Sequence, residues 1–194
     1  MSTVKSKKLQ IGTDATSSNN FTIYQPATPD GTLRIGVGNA DSPTEVGKFD
    51  SNGYVATNAP AFSAYLSADQ SVSSGVITKI QFDTEEFDTN NCFDNITNYR
   101  FTPTVAGYYQ INASLRSEGS SLSLAAFYIY KNGSSIFIPA LDTEHSSTTH
   151  ISGSTLVHCN GTSDYIEIYG RVDGSSPKFG NDNCRFSGFL ARAV

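Results

Sequence analysis

The sequence predicts an all-β protein, a jelly-roll sandwich of about eight to ten strands preceded by a short β-rich attachment segment. Two observations carry this. Apolar and polar residues alternate with period two in many short runs, and each run is bounded by Gly, Asn, Asp, Ser or Pro. Charged residues make up only 16% of the 194, well under the usual 25% or so, while small polar residues are abundant. No amphipathic run reaches the ~10–12 residues that a crossover helix needs, which excludes an alternating β/α architecture.

Taken in order, the first sixty residues hold short candidate strands at 9–12, 21–24, 32–36 and 53–55, separated by turn residues. Such pieces are too short and too thinly apolar for a core of their own. They need copies of themselves or the surface of another protein. Asp50-Ser51-Asn52-Gly53 makes a turn, and Ala56-Thr57-Asn58-Ala59-Pro60 reads as a linker. The expected division is therefore residues 1–58 as an attachment or oligomerisation segment and residues 60–194 as the head.

In the head, strands are expected near 62–67, 76–82, 96–101, 107–115, 125–130, 135–139, 154–158, 164–171 and 185–193. Tyr109, Ile111, Ala113 and Leu115 fall on one face of their strand, with Gln110, Asn112 and Ser114 on the other. Asn132-Gly133 supplies the two positive-φ positions of a tight type I′ hairpin, and Asn160-Gly161 repeats the device. Around 164–171, Ile166 and Ile168 point to the core, while Tyr165, Glu167 and Tyr169 point away.

The net charge of −5 is mild and falls entirely after Pro60, with eight Lys and Arg against thirteen Asp and Glu there. The basic residues are scattered, so no nucleic-acid footprint exists. No apolar run approaches the ~18 residues of a membrane span, and no export signal follows the basic start. Cys92, Cys159 and Cys184 are odd in number and lack CxxC spacing, which fits small buried or partly exposed thiols, with one bridged pair left open.

Phe87-Asp88-Thr89, Tyr99-Arg100-Phe101-Thr102-Pro103, Ala106-Gly107-Tyr108-Tyr109 and the closing Phe186-Ser187-Gly188-Phe189-Leu190 together resemble the C1q and tumour-necrosis-factor-like jelly roll. The resemblance runs from about Pro60 to Val194 and implies a compact homotrimer with its first and last strands close together at the base. Outward aromatics on their strands, Tyr65, Tyr128, Tyr130, Tyr165 and Tyr169, are the expected trimer interface. The collagen-like stalk of C1q relatives is absent. Leu9-Gln10-Ile11-Gly12-Thr13, Thr32-Leu33-Arg34-Ile35-Gly36 and Val46-Gly47-Lys48-Phe49-Asp50-Ser51-Asn52-Gly53-Tyr54-Val55 are instead similar to β-repeats that precede the fibre heads of bacteriophage virion proteins.

Chemistry finds little footing. His145, His150 and His158 lack metal-ligand spacing and read as solvated loop residues. Asp83, Glu85, Glu86 and Asp88 offer oxygen ligands for calcium but no EF-hand order, so a solvated acidic loop is the plainer expectation. No nucleophile elbow or dinucleotide fingerprint appears. No cofactor and no catalytic residue is expected. The sequence thus reads as a non-enzymatic particle-surface protein. It is either a fibre tip binding a host surface glycan or protein, or a capsid decoration protein held to other virion proteins through residues 1–58. A glycan depolymerase and a free C1q-like lectin are the alternatives.

Overall fold

The computed structural model describes residues 8–12, 15–16, 19–39, 41–50, 55–56, 59–143 and 147–194. The chain forms two compact units, Met1–Asn58 and Ala59–Val194. Of the expected strand at 53–55, Gly53 and Tyr54 lie outside the described residues, as do Thr57 and Asn58 of the linker.

The first unit is an antiparallel meander of β1 (Lys8–Ile11), β2 (Phe21–Tyr24), β3 (Leu33–Val37), β4 (Thr44–Phe49) and β5 (Val55–Ala56), in that spatial order. Residues paired across an antiparallel ladder share a face. Leu9 opposes Ile23, which opposes Ile35, and Ile11 opposes Phe21, which opposes Val37. Leu33 opposes Phe49. One face is therefore apolar across four strands. The other carries Lys8, Gln10, Thr22, Tyr24, Arg34 and Lys48, and Arg34 bridges Asp30 (2.5 Å) and Glu45 (2.7 Å) there.

The second unit holds β6 (Ala61–Tyr65), β7 (Gln70–Ser71), β8 (Thr78–Lys79), β9 (Thr84–Asp88), β10 (Phe93–Asp94), β11 (Arg100–Phe101), β12 (Ala106–Lys131), β13 (Ser134–Asp142), β14 (Thr148–Asn160), β15 (Ile166–Phe179) and β16 (Arg185–Ala193). The two halves of β12 belong to different layers. Its first half lies between β14 and β16, giving a first sheet β9-β6-β16-β12-β14. Its second half lies between β13 and β15, giving a second sheet β10-β11-β15-β12-β13, with β7 and β8 also on β15. This is the expected jelly-roll sandwich. Two strands expected at 107–115 and 125–130 are one long bent strand, because Leu122 is buried between them and Ser121 adopts φ 50°. A side chain at Gly119 or Gly174 would strike Leu122 at 2.7 or 2.6 Å, so glycine is needed at both.

The layers meet over a core in which Phe62 stacks on Phe93 (4.8 Å) and Phe101 (4.4 Å) and meets Phe186 edge-on (4.8 Å). Tyr109, Ile111 and Leu115 are fully buried and Ala113 nearly so, matching their alternation in the sequence. Burial pushes the Tyr109 phenol up to about 12, and its hydroxyl donates to the Val105 carbonyl at 2.7 Å.

Several expectations need correction. Asn132 (φ 52°) and Gly133 (φ 77°) close the β12–β13 hairpin, but Asn160-Gly161 closes none. β14 pairs with the first half of β12 and β15 with the second, so this turn crosses between sheets. Asn160 Oδ1 accepts from the amides of Thr162, Ser163 and Asp164 at 2.9–3.0 Å, and a Cβ at Gly161 would sit 2.4 Å from the Ala106 nitrogen. The strand expected at 96–101 shrinks to Arg100–Phe101 because Asp94 caps a turn through the amides of Ile96, Thr97 and Asn98. The 76–82 strand shrinks to Thr78–Lys79, with Ile80 and Phe82 still buried. The acidic run is the edge strand β9 rather than a loop.

Candidate functional site

The Leu190 amide donates to the Pro60 carbonyl (3.0 Å) and the Val194 amide to Ala106 (3.2 Å), so the head begins and ends at one pole, its base. Strand directions place the hairpin at 131–134 and the turn at 160–164 at this base. Residues 66–69, 118–123 and 173–184 lie at the opposite pole, the apex. An ion-paired set holds the apex: Lys178 reaches Asp69 (2.5 Å) and Glu118 (3.2 Å), and Arg116 bridges Glu118 (2.9 Å) and Asp182.

The expected calcium ligands do not converge. Asp83 accepts from the Ser67 amide (2.8 Å) and hydroxyl (2.6 Å), and Glu86 from the Ser63 hydroxyl (2.7 Å) and Arg185 (2.5 Å). Asp88 accepts from the Asn90 and Phe93 amides. Glu85 is pushed up, by burial first and then by Asp88 and Asp94. Among the described residues no group of three His, Cys, Asp or Glu could hold a metal. His145 lies outside the described residues. His150 and His158 sit on strand β14 rather than on loops, eight residues and hence roughly 26 Å apart. All three thiols are free and buried, and burial pushes Cys159 and Cys184 up to about 11.

The five tyrosines are divided between the sheets. Tyr128 opposes Tyr169, Tyr130 stacks on Tyr169 (4.1 Å, 28°), and Arg100 lies over Tyr165 at 4.3 Å, all on the outer face of the second sheet. Glu167, expected to point to solvent, is 4% exposed because Lys79 covers it at 2.5 Å. These rings are half-buried against one another and against cations. Tyr65 lies on the outer face of the first sheet, with Arg185 5.3 Å above its ring.

That first sheet carries a patch missing from the sequence reading. Gln110 opposes Leu156 on one side and Phe189 on the other, Tyr108 opposes His158 and Arg192, and Phe87 opposes Ser63. Phe87, Tyr108, Leu156 and Phe189 are 50%, 44%, 58% and 48% exposed. A second apolar surface is the edge strand β13, paired on one side only, where Ile136, Phe137, Ile138 and Leu141 are 46%, 43%, 54% and 60% exposed. The signal was available as parity, since Tyr108 and Leu156 take the solvent-facing turn of their alternation.

The C1q domain model matches residues 61–191. No curated protein sequence matches the chain. Among solved structures, the globular domain of zebrafish complement 1qA protein is similar at 19% identity, covering 70% of this chain and 99% of that one, with a TM-score of 0.53. Murine APRIL at pH 5.0 is similar at 8% identity, covering 68% and 98%, also with a TM-score of 0.53. These structures show the shared fold, and the family model spans about two thirds of the chain, residues 61–191. The chain therefore belongs to the C1q-domain family, with residues 1–58 lying outside the matched region.

Proposed function

We propose that this chain is a non-enzymatic structural and binding protein of a bacteriophage particle, whose C1q head closes into a homotrimer and whose residues 1–58 attach it to other virion proteins. The observation that carries the trimer is the pair of separate apolar surfaces on one head: the patch around Leu156 and Phe189, and the open edge strand β13. A two-fold contact needs one self-complementary patch, whereas a closed ring joins two different patches head to tail. The family to which the head belongs favours a ring of three. In this arrangement Tyr65 joins the contact, while Tyr128, Tyr130, Tyr165 and Tyr169 stay on the outside.

With chain entry and exit at the base, the apex faces outward. Its loops, rich in Ser, Asn and Asp, suit a host surface glycan or protein in a fibre tip, and a trimer of the same build suits capsid decoration. The engaged carboxylates of Asp83, Glu86, Asp88 and Asp94 favour binding over glycan cleavage, because each already accepts from protein donors. Two measurements test the reading: light scattering of the purified chain, and electron cryomicroscopy of purified particles. A mass three times 20.8 kDa, with density at capsid three-fold positions or at the tail, supports it and separates decoration from fibre. A monomer absent from particles overturns it.

A further inference from the structure

The N-terminal sheet is built inside out. Its polar face is the one covered in part: Thr22 and Gly36 are buried there, and Pro43 and Tyr24 crowd Gly36 so closely that a Cβ would meet them at 2.6 and 3.1 Å, while Gln10 at its margin stays exposed. Its apolar face is bare. Leu9, Ile11, Phe21, Leu33, Val46 and Phe49 are each between 39% and 59% exposed, and five of the six lie on the face fixed by the ladder register. A soluble protein rarely leaves so continuous an apolar surface open to water.

We infer that this face is covered by the same face of two further copies, so that three N-terminal sheets share one core. This rests on the trimeric reading of the head. Two features select copies of the chain as the occupant. The face holds no charged residue across β1 to β4, so identical faces meet without like-charge repulsion and with no buried unpaired ion. Only residues 57 and 58 separate Ala56 from Ala59, so a trimeric head gathers three such sheets at millimolar-scale effective concentration. A partner on the particle would have to outcompete contacts already in place before docking.

The test uses the full chain with single cysteines placed on either face: Phe21→Cys and Leu33→Cys on the apolar side, Gln10→Cys on the polar side. The native thiols are buried and give a silent background. Two apolar positions are used so that a folding defect at one leaves the other decisive. The expected result is that Phe21→Cys and Leu33→Cys react with a bulky maleimide at least about tenfold more slowly than Gln10→Cys. They should also give covalent dimers with a short bismaleimide, one thioether to each of two chains, in a yield unchanged by dilution. A trimeric mass with all three positions labelled equally fast overturns this inference and leaves the trimeric head standing. Protection that appears only when particles are added assigns the face to a virion partner and overturns it too. A monomeric mass overturns both.

Discussion

Leu156→Asp separates the two candidate faces of the head. The side chain is 58% exposed on a single chain. Full burial of a leucine is worth roughly 1.5–3 kcal/mol, so covering the exposed part contributes about 1–2 kcal/mol per contact. A ring has three such contacts, so losing them removes about 3–5 kcal/mol. At 1.4 kcal/mol per factor of ten, that weakens assembly by roughly two to four powers of ten. Burying a carboxylate at the site acts in the same direction. Within one chain the position is an exposed strand residue, where substitutions usually stay within about 0.5 kcal/mol, so the fold survives. Light scattering across a dilution series should therefore show Leu156→Asp as a folded monomer at concentrations where the parent is a trimer. Tyr165→Asp, on the outer face of the second sheet, should leave the mass unchanged. A Leu156→Asp protein that keeps the parental mass at every dilution, or a Tyr165→Asp protein that dissociates, refutes the choice of face.

Three further outcomes follow from the head itself. Asn160→Ala removes the acceptor of three amides, a loss of about 1–3 kcal/mol, and should lower the melting temperature by roughly 2–12 °C for a chain of this size, while Asn160→Asp keeps the acceptor and most of the stability. The Asp94 carboxyl is held down to about 2, first by the Thr97 amide, against an ordinary 3.8. A depressed acid stabilises the fold fully above the ordinary value and less as pH falls towards 2, so Asp94→Asn should lose stability at neutral pH and show a shallower acid limb in denaturant titrations between pH 4 and 2. Cys159 and Cys184, raised to about 11, should resist a disulfide-exchange reagent at neutral pH until denaturant is added, and prompt reaction of the native protein would contradict their burial.

Local pattern made the head legible wherever one strand decides its own outcome. The alternation at 109–115 named the buried residues, and Asn132-Gly133 named a hairpin. The same dipeptide at Asn160-Gly161 misled because the strands on either side belong to different sheets, and nothing within four residues reports that. The acidic run looked solvated, yet Glu86 is held by Arg185, 99 positions away, while Glu167 is covered by Lys79 at a separation of 88. Long-range ion pairs of this kind convert residues that look like surface into packed edges, and a linear reading has no access to them. Parity marked Tyr108 and Leu156 as solvent-facing, but not that they form one patch with Phe87 and Phe189. Each residue is an ordinary exposed position alone, and only the register of β9, β12, β14 and β16 assembles them.

The two units apply one rule to opposite effect. Period-two alternation gives every strand an apolar side, and in the head that side meets a second sheet of the same chain, so the core closes around Phe62 and Phe186 without help. In the first unit the short strands looked too thinly apolar to matter, yet antiparallel pairing stacks Leu9 on Ile23 on Ile35 and sums their thin sides into one continuous face. No second layer within that unit covers this face among the described residues, and in the proposed trimer the missing half of its core comes from the other copies. In the proposed trimer, a head with a closed core and a segment completed by its neighbours form a sequence of events: the head gathers the copies, and gathering them supplies the segment with its core.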